Sequence, residues 1–260
     1  MPDESTARFR GFSAKLSRAD EHLRSLNEGL ERFGEPDPYR VVLEPHGNTR
    51  EYVARAFIEK PVPSVEWALL FGDCLYNLRS ALDHLAWELS GPDPPDKTEF
   101  PIFHDPEAFE DEGQGGGLFK IRGINDTQAR ALIKDAQPCY RNRPKLAALW
   151  GLQELSNRDK HRFLTLGASV IDGATFWEGG SGEAFIDGLR FGPFESGAEI
   201  SRFRLGAEEP EPQVGMDLKV TFGIALTDAG PGQGMPLAGF LNRIREAIRT
   251  DIEQPVARLP

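Results

Sequence analysis

Cysteine is scarce in this chain: Cys74 and Cys139 are the only two in 260 residues. Two cysteines exclude a disulfide-built scaffold and a cysteine-based zinc site, and they suit a reducing, cytoplasmic compartment. No apolar run reaches the ~20 residues that a membrane-spanning helix needs, so no membrane association is expected. The opening residues, MPDESTARF, are polar and acidic and have none of the features of a secretory signal. Bases are in short supply, 30 against 41 acids, for a formal charge of −11. That balance excludes a surface-wide footprint for nucleic acid or anionic membrane, though not a local basic site. HExxH, GxSxG, C-x-x-C and P-loop patterns are all missing, and no cofactor is implied. What remains is 39% apolar, 27% charged and 10% aromatic residues, the make-up of an ordinary globular chain that needs no covalent staples.

Hydrophobic spacing organises the first part. Phe9, Phe12, Leu16, Ala19, Leu23, Leu26, Leu30 and Phe33 follow one another in alternating steps of three and four, a heptad-like seam that predicts a helix ended by Gly34 and Pro36. A stripe this narrow fits a bundle helix or the contact of a homodimer. Residues 39–59 read as a β-hairpin around His46, Gly47 and Asn48. Ser64 is placed to cap the longest helix, which Gly91 and Pro92 close. EFPIF (99–103) resembles a short buried strand, and EDEGQGGG (110–117) a mobile loop. Asn125 or Asp126 caps a short helix. Pro138 and Pro144 bracket a linker, and a further helix runs to His161. From residue 162 alternating runs predict an antiparallel section up to about 230, after which Pro236 opens an amphipathic helix. The expected fold is α+β: a bundle of four to five antiparallel helices over 1–161 with the hairpin at 39–59, an antiparallel β-section over 162–230, and a helix at 236–254 returning to the bundle in one compact unit.

Charge is uneven along this plan. Residues 161–230 hold 11 acids and 5 bases, a net −6, while 1–90 hold 15 and 11, a net −4. The region of predicted strands therefore carries more than half of the excess negative charge.

The 64–90 helix carries the chemistry. On a helical wheel Phe71, Cys74, Leu75, Leu78, Leu82 and Leu85 share one face, which makes Cys74 a small buried hydrophobe. Asp73, Asn77, Ser80, His84 and Glu88 share the opposite side, and Arg79 and Asp83 lie between, spaced for an ion pair. Solvated helix faces are commonly filled with Lys, Glu, Arg and Gln, which are good helix formers; Asp, Asn, Ser and His are not. The stripe reads either as a structural polar network or as a site. The 144–161 helix repeats the arrangement with Trp150, Glu154, Asn157 and His161. If the two helices face each other, these residues and Lys160 line one polar cleft.

GDCLYNLRSALDHLAWELS (72–90), FPIF (100–103) and LQELSNRDKHRFL (152–164) resemble a widespread bacterial family, common in actinobacteria, whose motifs run GDxLxNLRSALDH and LSNxDKHR. That resemblance implies no established activity. Arg79 and His84, with four residues between them, also resemble the Arg/His pair of the HEPN superfamily of helical-bundle nucleases and nucleotide-binding proteins. This second resemblance implies metal-free RNA cleavage across a homodimer, or a nucleotide ligand: Arg79 holding the phosphate, His84 as general acid or base, Asn77 orienting it. Arg158, Lys160 and Arg162 beside His161 offer a local positive cluster. Two other readings stand beside it. One is a non-catalytic binding or assembly protein whose motifs are structural; the other is a divalent-metal enzyme with Asp73, His84, Glu154 and His161 as ligands.

Overall fold

A computed structural model describes residues 9–47, 51–177, 184–205, 216–228 and 230–259. The acidic start and Asn48 of the hairpin turn lie outside them. The order is α1 (Arg10–Phe33), β1 (Tyr39–His46), β2 (Glu51–Ile58), α2 (Ser64–Leu89), α3 (Pro106–Glu110), α4 (Gly117–Lys120), α5 (Thr127–Asp135), α6 (Ala148–Asp159), β3 (Leu166–Trp177), β4 (Ala184–Leu189), β5 (Gly192–Pro193), β6 (Ala198–Leu205), β7 (Met216–Leu226), α7 (Leu237–Ile248) and α8 (Gln254–Val256). Helices and antiparallel strands are both present, so the fold is α+β.

The heptad-like seam is satisfied within the chain. Phe12, Leu16, Ala19, Leu23, Leu26 and Phe33 are buried, and α1 packs along α2. The face that made a homodimer attractive is thus already covered. Helix α2 also packs on α6 and α7, and α6 on α7. One continuous core results, with Leu26, Phe71, Leu75, Leu78, Leu82 and Leu85 sealed from solvent; each such burial is worth about 1.5–3 kcal/mol. Cys74 belongs to this core, and burial, followed by Asp20, pushes its thiol up to about 12, which keeps it protonated and unreactive. Leu237, Phe240, Leu241, Ile244 and Ile248 of α7 are buried as the spacing predicts.

The strands form two antiparallel sheets, ordered β1-β2-β6-β4 and β5-β3-β7. The hairpin at 39–58 does not stay with the helices around it. Strand β2 pairs with β6, Tyr52 opposite Phe203 and Ala56 opposite Ala198, so segments about 140 residues apart share a sheet. Gly47, with φ 69°, makes the described part of its turn.

Several local expectations change. Pro63, not Ser64, stands at the N-cap of α2, and no side chain caps it. The EFPIF stretch is buried yet is no strand, because side chains do what strand pairing would do. Arg79 Nη2 donates to the Phe100 carbonyl (2.8 Å) and the Phe100 N–H donates to Asp83 Oδ1 (3.0 Å). Gln137 accepts from the Phe103 N–H and donates to the Pro101 carbonyl. The glycine-rich stretch packs as a turn, the Gly116 N–H donating to the Gly113 carbonyl, and a Cβ at Gly117 would meet the Phe109 carbonyl at 2.5 Å. The expected linker between Pro138 and Pro144 contains two 3-10 turns. Asp126 is the cap of α5, accepting from the N–H groups of Gln128 and Ala129. Among the described residues no helix is long and apolar enough to cross a membrane.

Candidate functional site

The two motif-bearing helices are neighbours, α2 against α6. A cavity of about 180 Å³ opens between them, lined by Tyr76, Arg79, Ser80 and Asp83 from α2 and by Ser156, Asp159 and Lys160 from α6. It has room for about six waters at their share of liquid volume.

Arg79 and Asp83 form the ion pair that their i,i+4 spacing predicts, at 3.1 Å. Together they grip the Phe100 peptide, so the pair is first a structural clamp. Burial pushes the Asp83 carboxyl above the usual aspartate value, while Arg79 and the Phe100 N–H pull it back. Arg79 is 9% exposed, and its Nη1 has no partner; the buried Ser156 Oγ has none either. An unsatisfied buried donor or hydroxyl costs about 1–3 kcal/mol.

Asp159 completes the wall. Its carboxylate makes no hydrogen bond or ion pair among the described residues, and burial, then the nearby Asp73 charge, raises its pKa above the ordinary 3.8. Its carboxylate lies against Gly72, where a Cβ would come within 2.5 Å of Oδ2. Lys160 is exposed at the mouth, held only by a long contact of 3.5 Å to Asn157 Oδ1.

Of the residues singled out by sequence, Arg79, Ser80 and Lys160 line this cavity. Asp73 reaches it through its field on Asp159. Asn77 is buried but turns back on its own helix, donating to the Asp73 carbonyl at 2.8 Å. His84 faces the other way: it lies over Gly11 of α1, where a Cβ would meet its Nδ1 at 2.5 Å. Beside it Glu88 accepts from the Gly11 and Phe12 N–H groups, capping a helix that has no side-chain cap of its own. Arg79 and His84 therefore serve different neighbours. Glu154, Asn157 and His161 are not among the lining residues. Trp150 packs against the ring of His104 at 4.2 Å, giving that histidine the partner the sequence did not suggest.

Among the described residues no three His, Cys, Asp or Glu side chains gather where a metal could be held. Asp73, His84, Glu154 and His161 do not form a ligand set. Of the basic trio near His161 only Lys160 lines the cavity; a Cβ at Gly230 would meet Arg158 Nη2 at 2.5 Å, and Arg162 faces Asp228 at 3.5 Å. Tyr76 and Trp87, which flank the polar stripe, are half exposed or more and do not cover it.

Ser156 and Asp159 are lining residues that wheel reasoning passed over, and Asp83 was read only as the ion-pair partner of Arg79. One signal was available for Asp159. Glycine inside a helix costs about 1 kcal/mol relative to alanine, so Gly72 in mid-helix marks a close approach from outside. Compared with known protein families, with curated proteins and with solved structures, the chain matches none significantly.

Proposed function

We propose that this is a small-molecule-binding protein whose site is the α2–α6 cavity. Its ligand is a compact polar acid that also carries a hydroxyl or amino group. The observation that supports this reading is a pair of buried, unpartnered side-chain atoms on residues that line the cavity from its two helices, Arg79 Nη1 and Ser156 Oγ. They stand beside a free cation, Lys160, and a free carboxylate, Asp159. A carboxylate on the ligand answers Arg79 and Lys160 with charge-assisted bonds. A hydroxyl or ammonium group answers Asp159. Both atoms are shielded from water, so a ligand that bonds to them relieves an unmet hydrogen-bonding demand.

The nuclease reading, with Arg79 and His84 acting on one phosphate, draws less from the geometry. Arg79 Nη2 is committed to Phe100, and His84 lies beside the start of α1 on another surface of the helix.

Titration with L-serine, glycolate and inorganic phosphate, followed by amide chemical shifts, tests the proposal. L-Serine or glycolate is expected to shift the Ser156 and Lys160 resonances at millimolar concentration. Ser156→Ala is expected to weaken binding about five-fold, the worth of one neutral hydrogen bond. Absence of shifts at the cavity with all three probes refutes the reading. Cleavage of a mixed RNA pool that is lost in His84→Ala replaces it with the nuclease.

A further inference from the structure

A second cavity, of about 450 Å³, lies at the opposite end of α6. Its rim brings together arginines distant in sequence: Arg141 and Arg143 from the turns before α6, and Arg243 from α7. Its floor is apolar and includes Ala136, Leu149 and Ala247. Among the described residues Asp251 is the one carboxylate that lines it, and it is engaged by Arg141 at 2.8 Å. Arg243 Nη2 donates to the Leu146 carbonyl at 2.5 Å, which fixes the direction of its guanidinium without neutralising it. The Arg143 guanidinium makes no hydrogen bond or ion pair among the described residues. Three guanidinium groups thus face one carboxylate in a chain whose net charge is −11.

Arginines left unneutralised over an apolar floor are a poor arrangement for stability alone, because like charges repel and the floor stays wet. They suit an amphiphilic anion. The planar guanidinium presents a fork of donors that matches carboxylate, sulfonate or phosphate oxygens, while the floor takes an apolar body. The first turn of α6, which no side chain caps, adds its partial positive charge to the same space; the guanidinium groups supply the recognition.

We infer that this cavity binds a small organic anion, an apolar or aromatic body carrying one phosphate, sulfonate or carboxylate group. The site is independent of the α2–α6 cavity. It takes charge and apolar surface together, where the other takes a compact polar molecule.

The test is fluorescence titration of the whole chain with 1-naphthyl phosphate, with 1-naphthol as the uncharged counterpart. 1-Naphthyl phosphate is expected to bind at least ten-fold more tightly than 1-naphthol, since hydrogen bonds to charged groups are the stronger kind. Arg143→Ala and Arg243→Ala are each expected to lower its affinity about ten-fold. Both side chains are exposed at the rim, so the variants keep the fold, which circular dichroism verifies. Asp251→Asn is expected to raise affinity by releasing Arg141. Ser156→Ala is expected to leave this affinity unchanged whether or not the other cavity binds its own ligand. Equal binding of the two probes, no binding of the phosphate at millimolar concentration, or indifference to both arginine substitutions overturns the inference. Displacement of 1-naphthyl phosphate by a far tighter, arginine-dependent single-stranded oligonucleotide also overturns it, in favour of a nucleic-acid surface.

Discussion

The two ends of α6 show two ways to place arginine in an acidic protein. At the C-terminal end Arg79 is buried, paired with Asp83, and gripping the Phe100 peptide, so charge there is part of the architecture. At the N-terminal end Arg143 and Arg243 are exposed, and among the described residues no carboxylate pairs with either. A buried guanidinium must be compensated or the fold suffers; an exposed one keeps its water and remains free to meet something else. Position relative to solvent, rather than residue type, therefore decides whether an arginine here holds the fold or is available to a ligand.

The largest effect that sharpens this contrast is expected from Arg79→Ala. Removing one member of a buried pair that also satisfies a backbone carbonyl is expected to cost about 3 kcal/mol, measured by urea unfolding. Asp83→Asn keeps an acceptor for the Phe100 N–H and is expected to cost less. The paired substitution Arg143→Ala/Arg243→Ala is expected to change stability by no more than ~0.5 kcal/mol. If it destabilises the chain as much as Arg79→Ala does, the distinction between the two ends collapses.

A middle-sized effect is expected where α2 supports α1. Glu88→Ala removes acceptors from the Gly11 and Phe12 N–H groups and is expected to cost ~1 kcal/mol, the usual worth of an N-terminal cap. Gly11→Ala is expected to disturb the same cap from the other side, because its Cβ would lie 2.9 Å from Glu88 Oε1. Both are read as lower urea midpoints with unchanged slope. His84→Ala, next to this cap, is expected to leave cavity binding intact.

The smallest effect concerns pH. The folded pKa of Asp159 is raised above 3.8, chiefly by burial and next by Asp73. The native state therefore holds this proton more tightly than the unfolded chain does. Its contribution to stability is fully present below the ordinary aspartate value and is lost as pH rises through the folded value. Asp159→Asn is expected to stabilise the chain near neutral pH by less than ~1 kcal/mol, since the group is partly solvated. That gain is expected to vanish in acid. A gain that persists below the ordinary aspartate range would mean that packing, not charge, is responsible.

Periodicity was the most legible property of the chain. The steps of three and four from Phe9 to Phe33, the apolar face from Phe71 to Leu85 and the stripe from Leu237 to Ile248 each map onto buried helix faces, because one helix reports its own exposure through its own spacing. The Arg79–Asp83 pair was legible for the same reason. EFPIF looked like a strand because its apolar residues are buried, and nothing local reveals that Arg79, Asp83 and Gln137 take the place of neighbouring strands. The cavity residues Asp83, Ser156 and Asp159 were illegible as a group, since a wheel orders residues around one axis and does not give the rotation of a second helix against it.

By itself, then, the sequence determined where the long helices run, which faces they bury, and that Cys74 is core. Those properties follow from short-range geometry and the burial of apolar surface. Tertiary structure alone decided that β2 pairs with β6, that His84 and Arg79 serve different neighbours, and that Arg141, Arg143 and Arg243 meet around one cavity. Such contacts join residues as much as about 150 positions apart, and the packing of whole helices and sheets sets them, which no local pattern encodes.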